Sequence, residues 1–363
     1  MAPQPEDITL FYWALSPWAS KVVHYLSLRQ IPHAQCDQPV TLPRPDMKAL
    51  GLNYRRVPVV TIGRDIYCDT LLILEKLEEL FPPSGGIGAT LGAQSGTNFA
   101  LEKLLEKWTD VCVFKPAAAA IPTTVPLLQD QDFIKDRTEL WSRDWNPAEQ
   151  DRLRPAGLSD LRANFSFLEQ VLSDGRQWIT GAKQGPALAD IHAAWIFTWM
   201  LSLPDGLPEQ YFSASQFPKT RKWLDRYIQA VEAAKNDNAP RVKKLESEKA
   251  ITRILASDFL ALELAVLKDP RSFVKGQEVE IYPNDTGSDH KDKGKLIGLD
   301  TKEIVLEKRA PSGEGVRMHF PRWNYSIVAD AIDQDDALGD DPLGLRPTVS
   351  RMKSSREFGH LDF

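Results

Sequence analysis

Hydrophobic positions along the chain change period several times, and the first change falls at a serine. The run Ile8-Thr9-Leu10-Phe11-Tyr12-Trp13 is strand-like, whereas Val22, Val23, Tyr25 and Leu26 recur at helical spacing after Ser16-Pro17-Trp18. A second strand-like run, Arg55 to Ile62, carries Pro58 near its start. A third, Asp65 to Tyr67, follows the turn at Gly63-Arg64 and opens into a predicted helix over 71–81. This alternation predicts a β/α domain over residues 7–83. Pro82-Pro83-Ser84-Gly85-Gly86 begins a linker reaching about Gly96.

Beyond the linker the pattern is helical to about Ala234, beginning with Leu101, Leu104, Leu105 and Trp108. A run of alanines, Ala117 to Ala120, lets a neighbouring helix or a ligand come close. A polar insert, Asp136 to Arg154, interrupts the helices and contains Trp141 and Trp145. The charged segment Lys235 to Glu248 leads to another amphipathic helix marked by Ile251, Ile254, Leu255, Phe259 and Leu262, so the helical region is expected to span 97–262. After Asp269-Pro270 the period changes. Short strands at 279–282, 295–299, 303–306, 316–320 and 325–328 predict a small SH3-like β-barrel over 270–330, with a role in packing or partner contact. Its basic stretch, His290, Lys291, Lys293 and Lys295, reads as a solvated loop. Residues 331–363, acidic and then basic, predict a flexible tail.

Three sites carry candidate chemistry. Ser16 stands at the N-cap position of the first helix with Pro17 at its first turn, where free N–H groups and the helix dipole favour an anion such as a thiolate or phosphate. A Ser-Pro pair taken alone is usually a plain cap. A cis bond at Val57-Pro58 would turn the Val57 N–H and C=O outward to pair with a peptide-like ligand, and an ordinary trans edge proline is the alternative. At Cys68-Asp69-Thr70 a second helix start joins a hydroxyl to a carboxylate. Thr70 with the helix N–H groups can take an α-carboxylate and Asp69 an α-ammonium, or the pair can serve as a simple cap.

In this order and spacing the three sites resemble the glutathione transferase superfamily. The Ser-Pro-aromatic form is most similar to its tau and omega classes, and the added strands look like the extra module of some fungal members. The resemblance implies a thioredoxin-like domain followed by an all-α domain, with glutathione as the bound thiol. Ser16 would bond the sulfur, Val57 with Pro58 the cysteinyl backbone, and Asp69 with Thr70 the γ-glutamyl end. Arg44 or Arg56 would pair with the glycyl carboxylate. Trp13, Trp108 and Trp199 would wall the pocket for a small apolar electrophile. Asp69 departs from the commoner glutamate by one methylene. Pro186 to His192 is similar to the start of the family's buried helix, but Ala187 stands where a Ser or Thr would cap, a loss of about 0.5–2 kcal/mol, and Asp190 is expected to be structural. The expected function is a glutathione-dependent transferase. A glutathione-dependent isomerase or lyase, or a non-catalytic scaffold, would share the same residues.

Composition narrows the partners. A net charge of −6 over 363 residues argues against nucleic acid or an anionic membrane as partner. Cys36, Cys68 and Cys112 are too few and scattered for a disulfide framework, and six histidines form no ligand pattern, so no metal is expected. No apolar stretch reaches about 18 residues and no signal peptide opens the sequence, which predicts a cytoplasmic protein with no membrane partner. A homodimer is compatible with these expectations.

Overall fold

The computed structural model describes residues 4–84 and 86–329; the tail expected at 331–363 lies outside them. The chain opens with β1 (Ile8–Tyr12), α1 (Pro17–Leu28), β2 (His33–Asp37), α2 (Pro45–Ala49), β3 (Val59–Ile62), β4 (Asp65–Cys68) and α3 (Thr70–Leu80). β1 runs parallel to β2 and antiparallel to β3, which pairs antiparallel with β4. Every position of β1, β3 and β4 is buried, as suits mostly apolar strands covered on both faces, with Thr9, Thr61 and Asp65 the polar exceptions. Val22 and Leu26 of α1 and Leu72 and Leu77 of α3 pack on one face against Ile8, Leu10 and Ile62. Phe11, Val59 and Ile66 point to the other face. This is the β/α domain the alternation predicted, with the thioredoxin-like order that the resemblance implies.

The all-α region follows: α4 (Gly96–Trp108), continued by a π turn at Thr109–Val113, α5 (Phe114–Ala119), α6 (Gln131–Trp141), α7 (Pro147–Val171), α8 (Leu188–Ser202), α9 (Glu209–Phe212) and α10 (Pro218–Asn238). Asp190 accepts hydrogen bonds from the Ala187 and Ile179 amides and the Trp223 indole, each at 2.9 Å, so the carboxylate holds the start of α8 although Ala187 brings no cap of its own. The insert at 136–154 is built into α6 and α7. Its Trp145 is buried against a small cluster that includes Ala118, Leu128 and Phe133. No helix among the described residues is long and apolar enough to cross a membrane.

The remaining chain returns to the first domain. β5 (Val242–Lys244) adds parallel to β2, and α11 (Ser247–Ala256) follows. The helix expected to reach Leu262 stops at Ala256, and the next residues run across the β3–β4 turn. A Cβ on Gly63, which sits at φ +59°, would lie 2.4 Å from the Asp258 carbonyl oxygen, so the crossing needs glycine there. Phe259 is held between the guanidiniums of Arg64 and Arg317, each 4.2 Å from its ring.

All five expected strands form, as β6 (Glu278–Pro283), β7 (Asp292–Leu299), β8 (Glu303–Arg309), β9 (Gly315–Pro321) and β10 (Tyr325–Ala329). Their pairing does not make the SH3-like barrel expected from their number. The order β10-β6-β7-β8-β9 is open, and β9 pairs in parallel with β4 to give one ten-stranded sheet. The physical reason is shared burial. Val279, Ile281, Leu306, Met318 and Phe320 join Phe11, Val59, Ile66 and Cys68 in a single cluster, which Ala250 and Ile254 of α11 also enter. The β strands thus cover the second face and the free edge of the thioredoxin-like sheet. A separate module beginning at residue 270 does not describe this core.

A buried ionic joint lies at the β4–β9 seam. His319, fully buried, meets Asp65 of β4 at 2.9 Å through Nε2 and Glu303 of β8 at 3.1 Å through Nδ1. Lys76 of α3 pairs with Glu303 at 2.9 Å, Arg317 approaches Asp65 at 3.8 Å, and the Tyr67 ring stacks on the imidazole at 4.4 Å. Burial pushes the imidazole pKa down, but the hydrogen bonds and charges of Asp65 and Glu303 outweigh it and hold the group above its ordinary 6.5. Burial likewise pushes Glu303 up, and His319 and Lys76 overcome that to bring it to about 2.

Two outcomes are expected. Ending the chain after Asp269 strips the β4 edge and opens the shared cluster, so light scattering should find aggregation and thermal melts no cooperative transition; a soluble, cooperatively melting fragment contradicts the shared core. The joint also sets a pH dependence. The His319 contribution is complete below pH 6.5 and lost as pH rises through the raised folded value, whereas the Glu303 contribution is complete above 4.5 and lost as pH falls toward 2. The urea midpoint of the full chain should therefore decline on the alkaline side of pH 6.5, and His319→Gln should flatten that decline. An equal decline in the variant assigns it to other groups.

Candidate functional site

The sheet register gathers the three motifs at one end of the sheet. Phe11 of β1 stands opposite Val59 of β3, and Val59 opposite Cys68 of β4. The segments leading to Ser16, from Val57-Pro58 and to Asp69 thus leave adjacent strands on the same side. With strands about 4.8 Å apart, the row spans about 10 Å, the length of an extended tripeptide.

Each motif has a defined local geometry. Ser16 is the N-cap of α1: its Oγ accepts from the Ala19 amide at 3.3 Å, and no described residue accepts its hydroxyl proton. The Val57-Pro58 bond is cis, and the Val57 amide and carbonyl make no hydrogen bond with the described residues. Asp69 caps α3 by accepting from the Leu71 amide at 3.1 Å. It does so at φ +73°, ψ 138°, backbone angles that non-glycine residues adopt only where the surroundings enforce them. Thr70 is buried and its Oγ1 has no hydrogen-bond partner among the described residues.

A cavity of about 780 Å³ opens beside this row, between the thioredoxin-like domain and the helices. Ser16, Val57, Trp13 and Trp199 line it. Trp108 does not: its indole donates to Asn164 at 3.0 Å and its ring packs on Phe167. The wall is instead a chain of rings. Trp18 lies 4.9 Å from Phe114, Phe114 5.7 Å from Trp141, and Trp141 5.7 Å from Trp145. Trp18 belongs to the first motif and the other two indoles to the insert, yet periodicity had no means to turn them toward one space. Pro58, Asp69 and Thr70 stand outside the cavity lining, next to it along the sheet end.

Neither arginine considered for a carboxylate is uncommitted. Arg44 directs its Nε, Nη1 and Nη2 at the carbonyls of Pro39, Arg55 and Val40, so it clamps the loop before α2. Burial, and then Arg137, lower its pKa to about 10. Arg56 donates to the Thr286 carbonyl and to Asp285 and lies 3.7 Å from Asp69. Arg55 is paired with Asp136 at 2.9 Å and Glu139 at 3.1 Å. In the basic stretch after Asp289, His290 meets Glu139, and Lys291 and Lys293 meet Glu280.

No protein thiol serves this site. Cys112 is exposed and away from the cavity. Burial and then Asp46 push the Cys36 thiol up to about 12, and burial raises Cys68 as well. His24, which also lines the cavity, bonds the Tyr227 hydroxyl at 3.0 Å and is held near 3 by burial and Lys235, so it is neutral at physiological pH.

Residues 10–85 match the family model described as glutathione S-transferase, N-terminal domain, and residues 116–236 match a domain of unknown function, DUF7962. No curated protein matches the chain. Among solved structures, a GST-like protein from Pseudomonas syringae is similar in fold at TM-score 0.66 and 24% identity, over 91% of this chain and all of that one. Beta-etherase LigF from Sphingobium sp. strain SYK-6 is similar at TM-score 0.49 and 17% identity, over 64% of this chain and 99% of its own. A rice GST in complex with glutathione is similar at TM-score 0.47 and 13% identity, over 70% and 96%.

Proposed function

Residues 10–85 place the chain in the glutathione transferase superfamily, and we propose that it is a glutathione-dependent enzyme that activates the bound thiol for attack on a small apolar electrophile. The tripeptide lies along the strand-end row. Its cysteinyl backbone pairs with Val57, its γ-glutamyl ammonium meets Asp69, and its γ-glutamyl carboxylate meets Thr70 and the first amides of α3. The observation that carries this reading is Ser16, which lines the cavity at the mouth of α1 with its hydroxyl proton uncommitted.

A thiol with pKa near 8.5 is only about 3% thiolate at pH 7. Lowering that pKa by about two units takes about 2.7 kcal/mol of preference for the anion. The Ser16 hydroxyl and the dipole of α1 both act on the sulfur in that direction. The thiolate then faces the ring-lined cavity, where an apolar carbon centre is held out of water, and transfer forms the new C–S bond as the leaving group departs with its electron pair. Ser16 donates a hydrogen bond throughout and is never the nucleophile.

Ser16→Ala should keep glutathione affinity within about twofold while raising the pKa of the bound thiol and slowing thioether formation about tenfold or more, because the lost contact is made to the anion. Ultraviolet absorbance of the bound thiolate across pH, with product analysis by mass spectrometry, reads both quantities. An unchanged thiol pKa together with an unchanged rate contradicts the role given to Ser16.

A further inference from the structure

The strands after residue 270 reach the same sheet end as the three motifs. Tyr67 of β4 stands opposite His319 of β9 in a parallel pair, so β9 finishes where β4 does. The turn after β9 then delivers Tyr325, the first residue of β10, to that end, and Tyr325 in turn pairs with Pro283, where the β6–β7 loop departs. Both of these segments contact the residues assigned to the γ-glutamyl and glycyl parts of the ligand.

Tyr325 is buried. Its hydroxyl lies 3.1 Å from Asp69 Oδ2, and because a carboxylate carries no proton the tyrosine is the donor. The hydroxyl also lies 3.2 Å from that of Tyr54, which is itself buried. Asp69 Oδ1 is taken by the Leu71 amide, so each oxygen has one fixed donor and the side chain is held in a single orientation. Lone pairs remain on both oxygens for a further donor. The same strands fix the segment before Val57. Asp292 of β7 accepts from the Asn53 and Tyr54 amides at 2.8 and 3.0 Å, and Thr286 and Asp285 of the β6–β7 loop hold Arg56. A Cβ at Gly287 would lie 3.0 Å from the Arg55 side chain, so the loop comes down on this segment as closely as a glycine allows.

We propose that Tyr325 is a positioning residue of the thiol-ligand site: it holds the Asp69 carboxylate in the orientation that receives the γ-glutamyl ammonium, which makes the C-terminal strands part of the binding site. The proposal rests on the reading of Asp69 given above. It predicts selectivity, because only the γ-glutamyl group senses Asp69. A dipeptide lacking that group, cysteinylglycine, meets Val57 and Ser16 but has nothing to place at Asp69.

Calorimetric titration of the full chain tests this with glutathione and cysteinylglycine as probes. Tyr325→Phe keeps the ring against Phe320 and removes only the hydroxyl. It should weaken glutathione about fivefold or more and leave cysteinylglycine within about twofold. In an Asp69→Asn background the same change should cost glutathione less than about twofold, since the group that Tyr325 orients no longer attracts the ammonium. A Tyr325→Phe chain that binds glutathione as wild type does, or loses both ligands equally, or loses as much in the Asp69→Asn background, overturns the proposal. A wild-type chain that does not bind glutathione at all overturns the proposed function first and this inference with it, whereas tight wild-type binding with an indifferent Tyr325→Phe overturns this inference alone.

Discussion

The pairing of β9 with β4 is the contact on which the rest of this structure depends. A thioredoxin-like sheet with β4 at its border would present a row of unpaired N–H and C=O groups and, on one face, the apolar side chains of Phe11, Val59 and Ile66. Here the edge is continued by five strands and the face is covered by their side chains and by α11. A fully buried histidine between two carboxylates pins the seam, and its hydrogen bonds reach β4 on one side and β8 on the other. Buried charges are destabilising unless each is paired, and removal of His319 takes one partner from each carboxylate, leaving Glu303 to Lys76 and Asp65 to Arg317.

That seam also determines what stands around the strand-end row. Strands that leave a common sheet end share a small volume, so adding β9, β6 and β10 to the sheet brings their connecting segments to Asp69, Arg56 and the loop before Val57. The helices supply the other wall, where rings from α1, α5 and α6 meet. The cavity is therefore bounded by elements that are far apart in the sequence and joined only by tertiary packing.

This explains what was legible beforehand. Ser16 and Asp69-Thr70 are local signals set by helix starts, and both stand at helix starts in the structure, whereas the cis state of Val57-Pro58 and the positive φ of Asp69 depend on the surroundings and were open in the sequence. The five late strands were legible individually for the same reason: alternation over a few residues is a local property. Their arrangement was not. A barrel and an edge extension place the same side chains inward, and the choice between them lies in β4, some 250 residues away by the β4–β9 register. Arg44 and Trp108 show the converse error, since a cation and an indole near a motif look available until the carbonyls of Pro39, Val40 and Arg55, and the amide oxygen of Asn164, are seen to occupy them. The helix drawn to Leu262 failed because Phe259 keeps helical spacing while serving two guanidiniums in a segment that is neither helix nor strand.

Hydrogen exchange of the full chain with and without glutathione tests the central claim, that one sheet carries one site from both ends of the sequence. The account predicts slower exchange in the presence of glutathione at Val57 and the first turn of α3, and together with them at 284–287 and 322–326. Protection confined to the segments before residue 85, with exchange in the late strands unchanged, would contradict it.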